Sequence, residues 1–233
     1  MNIREMHYDF KKKFNKVDSQ KNRNLLVPEI DWSLNEAIDI LIKLVGSPRL
    51  RNGLGFEVSQ ITREDLRTLV IHNAPIVPVN NIVTLPSNYR YWVRGRAIIS
   101  KETCLNQEAV VIVQQYDDLF EESKFYNSSF EWREVYALFN SQGITLTTDG
   151  TFTIGNFLLT YLRKHALMHN AQDFQGGTYL HPSGVTLTGS QSCELPEHTH
   201  GLIVDIAVKL TAGEIQASDF NSKAEKLSFN QIV

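Results

Sequence analysis

A two-residue period runs through Tyr89-Arg90-Tyr91-Trp92-Val93-Arg94-Gly95-Arg96-Ala97-Ile98-Ile99. One side of this run carries Tyr89, Tyr91, Val93, Gly95, Ala97 and Ile99, and the other carries mostly Arg90, Trp92, Arg94 and Arg96. Successive side chains of a strand point to opposite faces, so the pattern predicts a β-strand with one largely apolar and one charged face. We expect its partner strand at Ala109 to Gln115, after a connection over residues 103–108.

Further short strands follow, separated by glycine-containing turns. They are predicted at residues 131–139, 144–147, 152–154 and 158–162. Asp149-Gly150 stands between two of these runs, and this dipeptide is a strong local signal for a β-hairpin. The loop-rich stretch 169–192 has room for one more short hairpin, formed by Tyr179-Leu180 with Val185-Thr186-Leu187.

Helical periods occupy both ends of the chain. Met6, Phe10, Phe14 and Val17 share one face of a first helix. A second helix is predicted from Pro28 to Gly46, because proline suits a first helical turn and glycine a helix end. Its apolar face consists of Ile30, Leu34, Ala37, Ile38, Leu41, Ile42 and Val45.

Two more helical segments are predicted. A short helix fits Thr62 to Val70, with Thr62 as its cap. A longer one opens at Pro196-Glu197, and its inner face contains Leu202, Ile203, Ile206, Ala207 and Leu210.

Helices therefore flank a β block, and strands do not alternate with helices along the chain. This order predicts an α+β fold: a helical bundle from the N- and C-terminal segments, with an inserted antiparallel β region. The expected parts are an N-terminal helical part (1–75), an inserted β-rich region (76–192), and a C-terminal helix and tail (193–233) that pack with the N-terminal helices.

Composition narrows the class of protein. The chain has 233 residues, 42% of them hydrophobic and 21% charged, which is ordinary for a globular protein. Its net charge of −3 gives no electrostatic reason to expect nucleic acid or an anionic membrane as the main partner. We expect no signal peptide and no membrane helix. Because only two cysteines are present, we also expect no disulfide framework.

The densest cluster of ionisable residues lies near the last helix. It contains Glu194, Glu197, His198, His200 and Asp205. His198 and His200 diverge on a helix and are poorly placed to share one metal, so a helix N-terminus is favoured over a metal site. No phosphate-binding loop or nucleophile motif is present, and we expect no catalytic residue, no metal site and no cofactor.

Three other features admit a functional interpretation beside a structural one. Arg90, Arg94 and Arg96 among aromatic residues could read nucleic acid, but a charged strand face paired with Glu102 and Glu108 is favoured. The run Lys11-Lys12-Lys13 fits the solvated side of an amphipathic helix. Four carboxylates at Asp117-Asp118 and Glu121-Glu122 fit a surface loop better than a cation site.

Three groups of motifs carry a family resemblance. The first is Leu85-Pro86-Ser87-Asn88-Tyr89-Arg90-Tyr91. The second comprises Gln115-Tyr116-Asp117-Asp118-Leu119, Ser129-Phe130-Glu131-Trp132-Arg133-Glu134-Val135, Thr148-Asp149-Gly150-Thr151-Phe152 and Leu159-Thr160-Tyr161-Leu162-Arg163-Lys164. The third runs Cys193-Glu194-Leu195-Pro196-Glu197-His198-Thr199-His200 into Ile203-Val204-Asp205-Ile206-Ala207-Val208. From about Leu25 to Leu210 the chain resembles virion structural proteins of crAss-like phages of gut Bacteroidales, in particular the ring protein directly beneath the portal. It departs from the pattern at His165-Ala166, where a proline is expected.

The resemblance implies a head-to-tail connector, or adaptor, with no enzymatic activity, made in the host cytoplasm and built into the virion. Its implied partners are the portal protein, other tail and ring proteins, and copies of itself in a dodecameric ring. DNA would pass through the ring without sequence-specific contacts, and a near-neutral chain suits such a channel. Each subunit would need two complementary side faces.

Candidate docking residues are apolar positions near a chain end or in an aromatic cluster. They are Phe229, Ile232 and Val233 in the C-terminal tail, and Phe125 and Tyr126. Packing on the subunit's own helices is an equal alternative for the tail, and core packing is favoured for Phe130 and Trp132. Three competing functions stay open: a tail hub or terminator component, a metal-dependent hydrolase using His198 and His200, and a nucleic-acid binder.

Overall fold

The computed structural model describes residues 1–14, 25–46, 64–114 and 128–214. The chain divides into two compact units. One comprises residues 1–68 and 165–233 and is called the helical unit; the other comprises residues 69–164 and is called the sheet unit. The boundaries thus fall at residues 69 and 164, whereas the sequence analysis placed them at 76 and 192.

Among the described residues, the helical unit contains three long α-helices. They are α1 (Ile3–Phe14), α2 (Val27–Gly46) and α3 (Glu197–Glu214). The predicted apolar face of α2 is confirmed, because all its side chains are buried, and α3 packs against both α1 and α2. Among the residues that the structure describes, no helix has both the length and the apolar character needed to cross a lipid bilayer.

Side chains near the first turns of α1 and α2 satisfy backbone amides that have no partner within the helix. Asn2 Oδ1 accepts a hydrogen bond from the Glu5 amide, and Glu5 Oε2 accepts one from the Asn2 amide, both at 2.9 Å. This reciprocal pair is a capping box. At α2, Glu29 Oε2 accepts from the Leu26 amide at 2.8 Å. These bonds explain why the two helices start where they do.

The helical unit also contains a short hairpin of β8 (Thr178–Leu180) and β9 (Thr186–Thr188). This hairpin was predicted, and it packs Tyr179 and Leu187 against Ala171.

The predicted helix over 62–70 is realised only in part. Residues 64–66 are helical and Arg67–Leu69 form a 3₁₀ turn, but Val70 already begins a strand, and Thr62 lies outside the described residues.

The described strands of the sheet unit form one seven-stranded mixed sheet, in the order β1-β7-β3-β4-β5-β6-β2. Its strands are β1 (Val70–Ile76), β2 (Ile82–Val83), β3 (Tyr89–Lys101), β4 (Cys104–Val113), β5 (Glu134–Asn140), β6 (Gly143–Thr147) and β7 (Thr153–Arg163). β4 and β5 run parallel, and every other pair among these strands is antiparallel.

β3 follows the predicted alternation only in its second half. Gly95, Ala97 and Ile99 are buried as expected, but Tyr91 and Val93 are exposed. The pairing of β3 with β7 shifts register twice before Gly95. A bulge adds a residue to one strand and redirects the side chains beyond it. Trp92 therefore packs against the core of the sheet unit, although the alternation placed it on the charged face.

The predicted helical bundle with an inserted antiparallel β region is wrong. The molecule is strand-rich, and the sheet unit holds a separate hydrophobic core of side chains from β2 to β7. The sheet is also mixed, because β4 pairs with β5 in parallel. Periodicity marks a strand, but it does not tell which strand lies beside it, so separate short strands looked like a modest insertion.

The predicted hairpin at Asp149-Gly150 is wrong as well. β6 pairs with β5 and β2, whereas β7 pairs with β3 and β1. Gly150 does adopt a positive φ of 79°, and Asp149 Oδ1 accepts from the Thr151 amide at 2.8 Å. The dipeptide makes a turn that connects two strands that are not neighbours in the sheet. A turn signal is local and does not ensure that the flanking strands pair.

Candidate docking surfaces

The predicted docking residues all lie outside the described residues. These are Phe125, Tyr126, Phe229, Ile232 and Val233. The four carboxylates at 117–118 and 121–122 lie outside them too. Their docking roles stay predictions.

Trp132 is the most exposed large hydrophobic side chain among the described residues, at 78%. It lies in a tight turn in which Ser129 and Glu134 exchange backbone hydrogen bonds of 2.9 and 3.1 Å. Arg133 in this turn has a φ of 54°, a conformation that few non-glycine residues adopt. Phe130 in the same turn packs against the core, as predicted, with its ring 6.3 Å from that of Phe152. The prediction that Trp132 also packs in the core is wrong.

Two exposed aliphatic side chains lie on the strand bonded to this turn. The Val110 amide of β4 donates to the Arg133 carbonyl at 2.8 Å. Val110 and Ile112 are 49% and 36% exposed, and they share one face of β4, opposite the buried Ala109 and Val111. We call Trp132, Val110 and Ile112 the Trp132 surface. Because large exposed apolar side chains are enriched at protein interaction sites, this turn and the strand bonded to it are a candidate docking surface.

The arginines of β3 are partly engaged within the protein. Arg96 forms an ion pair with Glu108 on β4, one of the acidic partners that the sequence analysis favoured. The Arg90 guanidinium lies 5.4 Å from the centre of the Tyr91 ring. Arg94 is exposed. The three side chains thus have different environments, unlike the continuous basic groove that tracks a nucleic-acid backbone.

A cleft of about 380 Å³ opens in the helical unit between α2, the β8–β9 hairpin and α3. It is lined by Leu25, Pro28, Glu29, Trp32, Ser33, Tyr179, Leu180, His181, Pro182 and Thr211. The rings of Trp32 and His181 stack with their centres 5.7 Å apart. Trp32 and Leu180 are 50% and 69% exposed, so much of their apolar surface is available to a ligand. We call this site the Trp32 cleft.

The polar side chains of the Trp32 cleft are already hydrogen-bonded within the protein. The bonds join the Ser33 hydroxyl to the Glu29 carbonyl (3.0 Å), Thr211 to Ser33 (2.9 Å), Tyr179 to Asp31 (2.7 Å), His181 to Ser183 (2.7 Å) and the Leu26 amide to the Glu29 carboxylate (2.8 Å). What the cleft offers a ligand is therefore mainly apolar surface from leucine, proline and tryptophan side chains.

Asp31 lies beneath the cleft and is only 2% exposed. Its Oδ1 is 2.7 Å from His7 Nε2, while its Oδ2 accepts from the Tyr179 hydroxyl at 2.7 Å and the Asn170 amide at 3.0 Å. Burial raises the pKa of Tyr179, and the hydrogen bond to the Asp31 carboxylate raises it further. The sequence analysis missed this network, although Asp31 shares a helix face with Leu34 and Ile38, an unusual position for a carboxylate.

The ionisable residues that cluster in sequence near α3 contact separate partners in the structure. The contacts are His198 with Asp65 (2.7 Å), His200 with the Leu195 carbonyl (2.9 Å), Glu197 with the Met1 amino group (2.7 Å), Asp205 with Lys13 (2.6 Å) and Glu194 with the Ala166 amide (2.9 Å). Across the described ranges, no three His, Cys, Asp or Glu side chains lie close enough to hold a metal ion together. These residues instead tie α3 to other segments of the helical unit.

Comparison with known proteins finds no match for this chain, either among protein-family models or among curated proteins. The motifs quoted above, the Trp132 surface and the Trp32 cleft are the features of the chain that bear on its function.

Proposed function

We propose that the chain is a structural subunit of a phage head-to-tail connector ring, which joins the portal to the tail and lines the DNA channel. The observation that carries the proposal is the 78% exposure of Trp132, in a turn that is hydrogen-bonded to the strand carrying the exposed Val110 and Ile112. The motif resemblance to ring proteins of crAss-like phages supports the choice of the connector ring as the assembly. The same proposal holds that the subunit is synthesised in the host cytoplasm and acts in the virion.

Exposed tryptophan is unfavourable for a subunit that acts alone and useful for one that assembles. Tryptophan is enriched among the few interface residues that contribute most of the binding energy. A closed ring needs a heterologous interface, in which one face of a subunit contacts a different face of the next copy. The Trp132 surface supplies one such face. The net charge of −3 suits a channel that DNA crosses without sticking.

The proposal is tested by mixing the purified chain with the portal protein. We expect a ring complex in which the chain and the portal are present in a fixed ratio, measured by mass photometry and imaged by electron cryomicroscopy. A tail hub or terminator component would not join the isolated portal. Absence of a complex at micromolar concentrations of both proteins would therefore exclude the connector role.

A matched pair of variants tests the Trp132 surface. Trp132→Ala is expected to weaken ring assembly at least about tenfold, as truncation of a central interface tryptophan does. Tyr8→Ala removes an aromatic side chain of similar exposure, 71%, from α1 and is expected to assemble normally. Equal assembly of both variants and the wild type would show that the Trp132 surface is not the interface.

The C-terminal residues give a second test of portal docking. Phe229→Ser with Ile232→Ser is expected to leave a folded subunit that fails to join the portal. Circular dichroism checks the fold, and mass photometry with the portal checks assembly. Normal assembly of this variant would remove the tail from the proposed interface.

A further inference from the structure

We infer that the Trp32 cleft binds the chain's own C-terminal segment, residues 215–233. This inference concerns the free subunit and does not depend on the connector role. α3 ends at Glu214, and Thr211, in its last turn, lines the cleft.

The length of chain beyond α3 suits this occupant. The segment has 19 residues, which in extended form span up to about 60 Å. It therefore begins at the wall of the cleft and can cross it in either direction. Attachment within the same chain raises the effective concentration of the segment at the cleft to about the millimolar range, which favours binding within one chain over binding to a second copy.

The chemistry of the segment matches that of the cleft. Its large apolar residues are Ile215, Phe220, Leu227, Phe229, Ile232 and Val233. The polar groups of the cleft are occupied by hydrogen bonds within the protein, so they leave apolar surface as the basis of recognition. Leu180 and Trp32 would each lose exposed surface on binding, and burial of such side chains supplies the free energy.

The volume of the cleft also fits side chains of this kind. About 380 Å³ lies within the range of small-ligand pockets, about 300–1,000 Å³, and exceeds what a single aliphatic side chain fills. The stacked rings of Trp32 and His181 form a flat wall against which a phenylalanine can pack with an offset geometry. Phe229 and Ile232 are the residues that we expect to enter.

The test is photo-crosslinking in the full-length chain. A photoreactive benzoylphenylalanine replaces Leu180 at the rim of the cleft, and ¹⁴N- and ¹⁵N-labelled chains are mixed in equal amounts before irradiation. We expect mass spectrometry to find crosslinks from position 180 to residues 215–233, each within a single isotope label. The same photoreactive residue in place of Tyr8, which is not among the residues lining the cleft, should give no such crosslinks.

Two outcomes would overturn the inference: crosslinks only between chains of different label, which indicate a second copy, or no crosslink to residues 215–233. A second variant gives an additional readout in case the photoreactive residue disturbs the rim of the cleft. Phe229→Ser with Ile232→Ser should lower the yield of crosslinks from position 180 about tenfold, because burial of large apolar side chains accounts for a factor of this size. An unchanged yield would show that these side chains do not enter the cleft. No portal is present, so the result is independent of the assembly tests.

Discussion

Asp31 is the residue at which several segments of the helical unit meet. It lies on α2, and its carboxylate bonds to His7 on α1, Tyr179 on β8 and the Asn170 amide. A buried carboxylate is tolerated only when its oxygens are paired, as they are here. Its partners are separated along the chain, so this one side chain links segments that local structure leaves independent.

Asp31→Ala is expected to lower the free energy of unfolding by about 3–5 kcal/mol, because the change leaves His7 and Tyr179 buried without their partner. Urea unfolding followed by circular dichroism measures it. Glu36→Ala changes an exposed acid on the same helix and should stay within about 0.5 kcal/mol of the wild type. A similar small effect for Asp31→Ala would mean that the network contributes little.

The two cysteines are expected to differ in reactivity. Cys104 is exposed, whereas burial raises the pKa of the Cys193 thiol, and the nearby Glu194 carboxylate raises it further. A raised pKa leaves less thiolate at neutral pH, and the thiolate is the reactive form. Iodoacetamide at pH 7.5 should therefore alkylate Cys104 several-fold faster, as followed by peptide mass spectrometry. Cys104→Ser should abolish the fast phase; its persistence would assign the fast phase to Cys193.

β3 is the element around which the sheet unit is organised. It pairs with β4 on one side and β7 on the other, and its core face includes Ala97 and Ile99. Trp92 reaches the same core and makes ring contacts with Phe157 and Phe139. The ring of Trp92 lies over Gly95, which leaves no space for a side chain at that position.

Gly95→Ala should destabilise the protein by about 1–3 kcal/mol, the usual effect of overpacking a core. The added Cβ would clash with Trp92 Cη2 and would lie 2.9 Å from Phe157 Cζ. Gly155→Ala is the matched control in β7, since its Cβ would come no closer than 3.8 Å to the Ile98 carbonyl oxygen. Urea unfolding compares the two variants. Equal stability of both would mean that Trp92 moves aside at negligible cost.

At the scale of the whole molecule, the chain builds two units, and the sheet unit is continuous in sequence. Its core residues all lie between Val83 and Tyr161, and the partly buried side chains that pack against them begin at Ile71. Hydrophobic burial of this kind drives the folding of a domain. The sheet unit thus has a hydrophobic core made of its own residues.

A fragment of residues 69–164 is therefore expected to fold by itself, with a β-type circular dichroism spectrum and cooperative urea unfolding. Val135→Asp in the same fragment should abolish the transition, because it places a carboxylate at a position that is fully buried. Failure of the unaltered fragment to fold would show that the sheet unit depends on the rest of the chain.

Local elements could be predicted where one short-range pattern dominates. The face of α2 and the β8–β9 hairpin were predicted correctly, since each depends on spacing within a few residues. β7 was predicted as two strands because Gly155-Asn156 looked like a break, yet pairing with β3 carries one strand through it. Trp132 was assigned to the core because it lies in an aromatic-rich stretch. The turn geometry that exposes it depends on contacts with β4.

The amino-acid sequence alone establishes the amphipathic helices, the alternation in the second half of β3 and the resemblance motifs, because these features depend on residues close together in the chain. Tertiary structure decided the order of the strands, the parallel β4–β5 pair, the dispersal of the histidines and carboxylates near α3, and the Trp32 cleft. Each of these depends on contacts between distant residues, and such contacts are selected by the burial and hydrogen bonding of the complete fold, which no local period encodes.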